Sequence, residues 1–361
     1  MADDHAYYCY CSKEDLEAER QALLSQGMVP KYGGRCRQLA SGKGPAGQSP
    51  QLIRFKVPAQ KVSFKDLIRG EITFDTEALG DLAIAKNLKT PLYNFAVVVD
   101  DQEMKITHVI RGEDHIPNTP KQLLLMEALG FHRPHYAHLP LILDPDRSKM
   151  SKRYSAAAIH EYRQQGYLPE AIINFMALLG WHPTTNQELF SLDQLAQEFD
   201  LARVQKAGAI FDLEKLNWLN AQYLRNLPDE TLAAKLGIDP TPHHLQIIRL
   251  SKARMKKLND FHNTAQFFFQ LPDYPAELLC WKGQTKSEAA AKLAQVEAIL
   301  DDPKAIMALA QKEGRGEVLW PLRAALSGLK ESPGPLEILA ALEKNEARRR
   351  LTVAIEKLKS N

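Results

Sequence analysis

Three segments, "KITHVIRGEDH" (Lys105–His115), "NTPKQLLLMEALG" (Asn118–Gly130) and "YAHLPLIL" (Tyr136–Leu143), follow one another almost without a gap. The first and third read as strands, the first ending in polar residues. The middle one reads as a helix, with Pro120 suited to the first turn and Gly130 to the end. Strand, helix and strand at this spacing make a parallel βαβ unit, and sheets of that kind hold ligands beyond the carboxyl ends of their strands. Two segments fall at such ends: "RGED" (Arg111–Asp114) and "DPDRSKMSKR" (Asp144–Arg153). Just upstream, "YNFAVVVD" (Tyr93–Asp100) is a near-continuous apolar run and reads as a further strand, buried on both faces.

On the amino-terminal side, residues 14–26 have a helical pattern. A Gly-Pro-rich link follows, "ASGKGPAGQSP" (Ala40–Pro50), and then short alternating strand-like segments up to Thr90. After Ser155 nearly everything reads as helix. "LPEAIINFMALLGW" (Leu168–Trp181) sets Ile172, Phe175, Met176 and Leu179 on one face. "SLDQLAQEFD" (Ser191–Asp200) opens with a capping-box pattern, Ser191 and Gln194, and aligns Leu192, Leu195 and Phe199. "TKSEAAAKLAQVEAIL" (Thr285–Leu300) and "ARRRLTVAIEKLK" (Ala347–Lys359) repeat the theme, the latter with Leu351, Ile355 and Leu358 in step. The fold class is therefore α/β plus all-α, without internal repeat.

At 361 residues, 45% hydrophobic and 25% charged, the chain has the composition of a folded protein of two or three domains. Its net charge of +2 means that any nucleic-acid surface must be built from local patches. No apolar run approaches the roughly 18 to 20 residues of a membrane span, and no signal-peptide core follows Met1. Four cysteines, three of them clustered, are too few for a disulfide framework and fit a reducing, cytoplasmic setting.

The loop leaving the third strand carries Arg147, Lys149, Lys152 and Arg153. Alone, such a run is more often a solvated turn, but the end of a βαβ strand is where phosphates bind. Lysine suits that work, because its ammonium is a flexible point charge able to follow a phosphate through a change of geometry.

Lys149-Met150-Ser151-Lys152-Arg153 resembles the lysine-rich signature loop of class I aminoacyl-tRNA synthetases, in the form used by glutamyl-tRNA synthetases. "LYNFAVVVDD", "ITHVIRGEDHI", "EYRQQGYLPEAIINFMALLGW", "AIFDLEKLNWLNAQYLR" and "GEVLWPLRAALSG" resemble bacterial-type segments of the same family, in order and over nearly the whole chain. The resemblance implies the carboxyl-terminal part of a Rossmann-like catalytic domain with an inserted α+β domain, then helical stem-contact and anticodon-binding domains. On this chain the inserted domain would be 1–92, the catalytic part 93–146, the signature loop and stem-contact domain 147–228, and the anticodon-binding domain 229–361. It implies ATP with Mg²⁺, glutamate and tRNA(Glu) as substrates, with tRNA(Gln) as an alternative acceptor, no membrane, and a monomeric protein.

Roles follow from the same resemblance. Lys152 would stabilise charge on the α- and β-phosphates of ATP as glutamate attacks, assisted by Lys149 and Arg153, with Ser151 also against ATP. Arg111 would pair with a glutamate carboxylate, planar fork to planar acid; the residues alone allow an ordinary ion pair with Glu113 or Asp114. Tyr93 would line the amino-acid pocket, and Leu141 and Ile142 would offer backbone groups to adenine. The amide expected four residues after Tyr93 is Val97 here, so that contact stays unassigned.

Cys9, Cys11 and Cys36 resemble the zinc site some members carry in the inserted domain, but Gln38 stands where the family has His or Cys. Zinc prefers four N or S ligands; His5 could supply the fourth, or the three thiols could be a relic. The run His132, His135, His138 has metal-like spacing, yet across a strand it points side chains to opposite faces. "SKARMKK" (Ser251–Lys257) and Arg348–Arg350 are basic patches that a tRNA-binding half would turn to phosphates and that a bland reading leaves as solvated faces.

The second class I signature, His-x-Gly-His, occurs nowhere in the 361 residues. The chain is accordingly expected to be an amino-terminally shortened member, inactive in isolation, with a catalytically silent tRNA-binding relative as the alternative. A glutaminyl enzyme is disfavoured because its anticodon part is β-barrel, and the short enzyme that glutamylates a modified tRNA base because it lacks residues equivalent to 230–361.

Overall fold

The computed structural model describes residues 4–39, 44–45, 47–150 and 158–360. The chain forms two compact units, one of Met1–Ser155 with Ala177–Gln187 and Gln194–Phe211, the other of Ala156–Met176, Glu188–Asp193 and Asp212–Asn361.

The first unit begins with β1 (Ala6–Cys9), α1 (Lys13–Ser25), β2 (Leu52–Phe55), β3 (Lys61–Asp66), β4 (Gly70–Asp75), β5 (Leu82–Asn87) and β6 (Thr90–Pro91). It continues with α2 (Tyr93–Glu103), β7 (His108–Gly112), α3 (Thr119–Leu129), β8 (His135–Leu139), β9 (Ile142–Leu143) and β10 (Ala209–Ile210). An antiparallel sheet has the order β1-β2-β5-β6, and a mixed sheet the order β4-β3-β8-β7, with β9 and β10 paired in parallel.

The βαβ unit is present. β7 and β8 run parallel in register from His108↔His135 to Gly112↔Leu139, with α3 as the crossover. Pro120 lies in the first turn of α3, and Gly130 closes it at φ 68°, a left-handed angle that suits a residue without Cβ. Leu123, Leu124, Leu125 and Met126 of α3 are buried with Val62, Phe64, Ile53 and Tyr136 in one core. β8 stops before Pro140, which has no N–H to give to a ladder.

Tyr93–Asp100 is not a strand. It is the body of α2, whose helix runs on to Glu103 and buries Val98 completely while Tyr93 is 53% exposed. A short, near-continuous apolar run does not by itself distinguish a strand from a half-buried helix. Packing on α3 decides it, including the hydrogen bond from Gln122 Nε2 to Asn94 Oδ1 (3.1 Å). The helix end also carries no sequence signal, because the left-handed position after it is Lys105 (φ 55°) rather than glycine.

The second unit is helical: α4 (Ile159–Gln164), α5 (Pro169–Gly180), α6 (Leu192–Glu198), α7 (Leu213–Asn226), α8 (Asp229–Leu236), α9 (Pro242–Lys252), α10 (Asp260–Phe269), α11 (Lys286–Ala298), α12 (Pro303–Glu313), α13 (Arg315–Ser327), α14 (Pro335–Ala341) and α15 (Lys344–Lys359). α5 and α6 begin in this unit and end in the first. The main core joins α11, α13 and α15 through Leu293, Val296, Leu322, Leu351 and Ile355.

The expected faces of α5 and α6 are only partly buried. Ile172, Phe175 and Leu195 are inside, whereas Met176, Leu192 and Phe199 are exposed. On α5 the inward place is taken by Asn174, fully buried, whose Oδ1 accepts from Phe190 N–H (2.9 Å) and the Tyr223 hydroxyl (2.8 Å). A buried amide, its oxygen doubly hydrogen-bonded, has displaced a thioether from the core face.

Candidate functional site

Arg111 stands at the carboxyl end of β7, half-buried. It does not pair with Glu113 or Asp114. Its Nε donates to His138 Nε2 (3.1 Å) and its Nη2 to Thr119 Oγ1 (2.8 Å), with the guanidinium 5.4 Å above the Tyr136 ring. Glu113 is instead bridged to Arg69 (2.5 Å) and accepts the N–H of Leu141 (3.0 Å). Asp114 pairs with Lys149 (3.0 Å), which holds its carboxyl below the usual range. Tyr93 begins α2 with its hydroxyl 3.5 Å from His115 Nδ1.

The signature loop starts as a tight hairpin. Asp144 N–H donates to the Ser148 carbonyl (2.9 Å), Arg147 N–H to the Asp144 carbonyl (2.8 Å) and Met150 N–H to the Ile142 carbonyl (3.0 Å). Arg147 takes a left-handed backbone angle, φ 66°, at the turn. The Leu141 carbonyl accepts from Ala209 N–H (3.0 Å), so Leu141 and Ile142 are engaged inside the fold, although each carbonyl keeps a second lone pair. Ser151, Lys152 and Arg153 lie outside the described residues. The structure thus brings Arg111, Thr119, His138, Glu113, Asp114 and Lys149 to one end of the parallel strands.

Sequence reasoning missed Asp66, Thr119 and His138. His138 is not one of a metal-binding trio: it is fully buried against Asp66, while His135 is exposed and lies beside His108, ring centroids 4.9 Å apart.

Cys9, Cys11 and Cys36 are buried together, their Sγ atoms all within 4.8 Å of one another. The Cys11–Cys36 separation is 3.7 Å, close to the edge of about 3.8 Å of a tetrahedron with zinc–sulfur bonds of about 2.3 Å. Neither Gln38 nor His5 completes the set; both are exposed. The Tyr32 hydroxyl does reach it, 3.6 Å from Cys9 Sγ and 3.6 Å from Cys11 Sγ, and accepts the Cys36 N–H (3.0 Å). Burial pushes the Cys11 thiol up to about 11. At Cys9 burial acts in the same direction, but the Arg54 guanidinium, the Cys11 N–H and the Tyr32 hydroxyl outweigh it and favour the thiolate. The three sulfurs fit the thiolate part of a closed zinc site, and the fourth place is reached by the Tyr32 hydroxyl, a donor outside the usual set whose ionisation burial opposes.

The basic patches are largely committed to the fold. Lys252 Nζ binds Asp229 (2.6 Å) and the Leu227 carbonyl (3.1 Å), and Arg254 binds the Ser332 carbonyl (2.8 Å). Lys256 pairs with Glu214 (3.2 Å), and Lys257 lies over the Tyr167 ring. Arg348 pairs with Asp301 and Arg349 with Glu346. Arg350 is fully buried, which removes it from any phosphate surface.

A parallel βαβ unit with a basic hairpin at its strand ends, joined to a helical carboxyl-terminal half, is matched by two family models. These are "tRNA synthetases class I (E and Q), catalytic domain" over residues 1–218 and "Anticodon binding domain" over residues 214–355. The chain is thus a class I aminoacyl-tRNA synthetase of that type. It is 40% identical over 380 residues to the glutamate–tRNA ligase of Carboxydothermus hydrogenoformans, covering 97% of this chain and 79% of that one. It is 39% identical over 387 residues to the ligase of Heliobacterium modesticaldum, covering 99% and 78%. The crystal structure of an Elizabethkingia meningosepticum glutamate tRNA ligase in complex with its amino acid superimposes with a TM-score of 0.84 at 32% identity, covering 98% of this chain and 80% of that one. The chain belongs to the glutamate–tRNA ligase family.

Proposed function

We propose that the chain joins glutamate to tRNA(Glu), with tRNA(Gln) as a second acceptor, through a glutamyl-adenylate made from ATP and Mg²⁺. Identity of 40% sustained over 97% of the chain carries this reading. In it, Arg111 binds a carboxylate of glutamate through the guanidinium edge not used by His138 and Thr119. Tyr93 lines the same pocket. Lys149 leaves Asp114 for phosphate once ATP arrives, and Ser151, Lys152 and Arg153, next in sequence, act on ATP with it. Adenine is met by the second lone pairs of the Leu141 and Ile142 carbonyls.

The working division is an acceptor-stem domain (1–92), catalytic part (93–146), signature loop with stem-contact domain (147–228) and anticodon-binding domain (229–361), in a monomer. Cys9, Cys11 and Cys36 with Tyr32 hold a zinc ion that ties the amino-terminal strand to the segment carrying Cys36. A reducing cytoplasm suits these thiols, all free. Among the described residues no helix is long and apolar enough to cross a membrane.

The test is charging of tRNA(Glu) with radiolabelled glutamate, with the His-x-Gly-His segment supplied as a separate polypeptide because the 361 residues do not contain that motif. Glutamate-dependent charging that is lost in Lys152→Ala is the expected result. Charging by some other amino acid, or undiminished charging in Lys152→Ala, overturns the reading.

A further inference from the structure

Arg111 owns five N–H donors in a rigid fork. Two are used on His138 Nε2 and Thr119 Oγ1, and these acceptors are themselves only 3.3 Å apart. They therefore take one edge of the guanidinium side by side. Among the described residues nothing hydrogen-bonds the end-on edge, with the Nη1 hydrogens and the second on Nη2.

What fixes that edge lies behind it. His138 Nδ1 is 2.6 Å from Asp66 Oδ2, and both side chains are fully buried. An ionised carboxylate only accepts and a guanidinium only donates. The imidazole between them has one arrangement compatible with both: proton on Nδ1, lone pair on Nε2, no net charge. A second proton would set N–H against N–H and drive Arg111 off. Asp66 is held in turn by the N–H groups of Ile68 (2.9 Å), Arg69 (2.9 Å) and His138 (3.1 Å), so the relay is anchored in backbone. The Tyr136 ring stacks parallel to His138 at 6.0 Å and lies under Arg111 as a floor.

We propose that Asp66 and His138 are positioning residues, a buried carboxylate–imidazole couple that aims the end-on edge of Arg111 at the substrate carboxylate. This rests on the reading of Arg111 given above. The couple keeps the carboxylate out of direct contact with Arg111 and presents the guanidinium to the site pre-aligned.

In the unaltered chain, ¹⁵N spectra of the histidine rings at neutral pH should show His138 protonated on Nδ1 and bare on Nε2. The opposite tautomer, or an imidazolium, overturns the proposal whatever the variants do. His138→Asn keeps an amide donor where Nδ1 was and loses the acceptor for Arg111, whereas His138→Gln can present oxygen to Arg111 and loses the donor to Asp66. In the charging assay His138→Asn and Asp66→Asn should raise KM for glutamate on the order of 10- to 100-fold, the range expected for loss of a charge-assisted hydrogen bond, with kcat changed much less. His138→Gln should recover part of the loss. Arg111→Ala separates the two claims. If it leaves KM unchanged, the substrate role of Arg111 is wrong and the proposal falls with it. If it raises KM while folded His138→Asn and Asp66→Asn do not, Arg111 binds substrate without help from the couple.

Discussion

Arg350 Nη1 donates to the carbonyl oxygens of Leu326 (2.6 Å) and Phe267 (2.8 Å), with its side chain completely buried. Leu326 lies in the last turn of α13 and Phe267 in the last turn of α10, where carbonyls have no helical partner. One guanidinium from α15 therefore caps two other helices, and its charge opposes the negative ends of both dipoles. Arg350→Ala strips those carbonyls and leaves Glu346 without one of its partners. It should lower the unfolding free energy by about 3–5 kcal/mol. Arg349→Ala, at an exposed site, should cost no more than about 1 kcal/mol. Urea denaturation of the two variants checks the contrast, and equal losses would mean that the buried contacts carry little.

The same distinction divides the cluster at the end of α9. Lys252 is mostly covered and shares the well-buried Asp229 with Arg249, so Lys252→Ala should destabilise by about 1–3 kcal/mol. Lys256, exposed and paired with an exposed Glu214, is available to a phosphate. Lys256→Glu should leave stability near that of the parent and reduce the slope of log affinity for tRNA against log salt by about 1. An unaltered slope would assign Lys256 to the solvated surface.

Zinc gives a third outcome. Purified chain should hold one zinc, Cys36→Ser should release it, and Tyr32→Phe should weaken it without removing any sulfur. Metal analysis before and after dialysis against a chelator measures this. If Tyr32→Phe retains zinc as firmly as the parent, the phenol is a neighbour of the thiols and not a donor to the metal.

These predictions use residues of very different legibility. The βαβ unit could be read because Pro120 and Gly130 punctuate α3 and because β7 and β8 are short apolar strands with polar ends. α2 could not, since three consecutive valines, Val97–Val99, favour a strand locally and only packing on α3 makes the segment a helix. Arg111 and Lys149 were visible through motif and position. Asp66 was not, because a lone aspartate at a strand end has no signature, and its partner is 72 residues away. Tyr32 was hidden in the same way: only the fold carries its hydroxyl to the thiols. Arg350 looked like one of three surface cations, and burial alone separates it from Arg348 and Arg349.

Acid should weaken the chain in two distinct windows. Burial holds His138 below its ordinary pKa against the opposing pull of Asp66, so the folded chain keeps it neutral where an unfolded chain takes up a proton. The linked stability is intact above about pH 6.5 and falls as pH drops from there towards the folded pKa. Glu346 behaves as a depressed carboxylate: the Arg349 hydrogen bond foremost, then Arg350, overcome burial and hold it at about 2 instead of 4.5. Its contribution is complete above 4.5 and is lost between 4.5 and about 2. Amide hydrogen exchange followed against pH should show strands β3 and β8 loosening in the upper window, and α15 only in the lower one. His138→Asn, which cannot titrate, should flatten the upper step, and Glu346→Gln the lower. An upper step that persists in His138→Asn would place its origin in some other histidine and leave the Asp66–His138 couple without a role in acid stability.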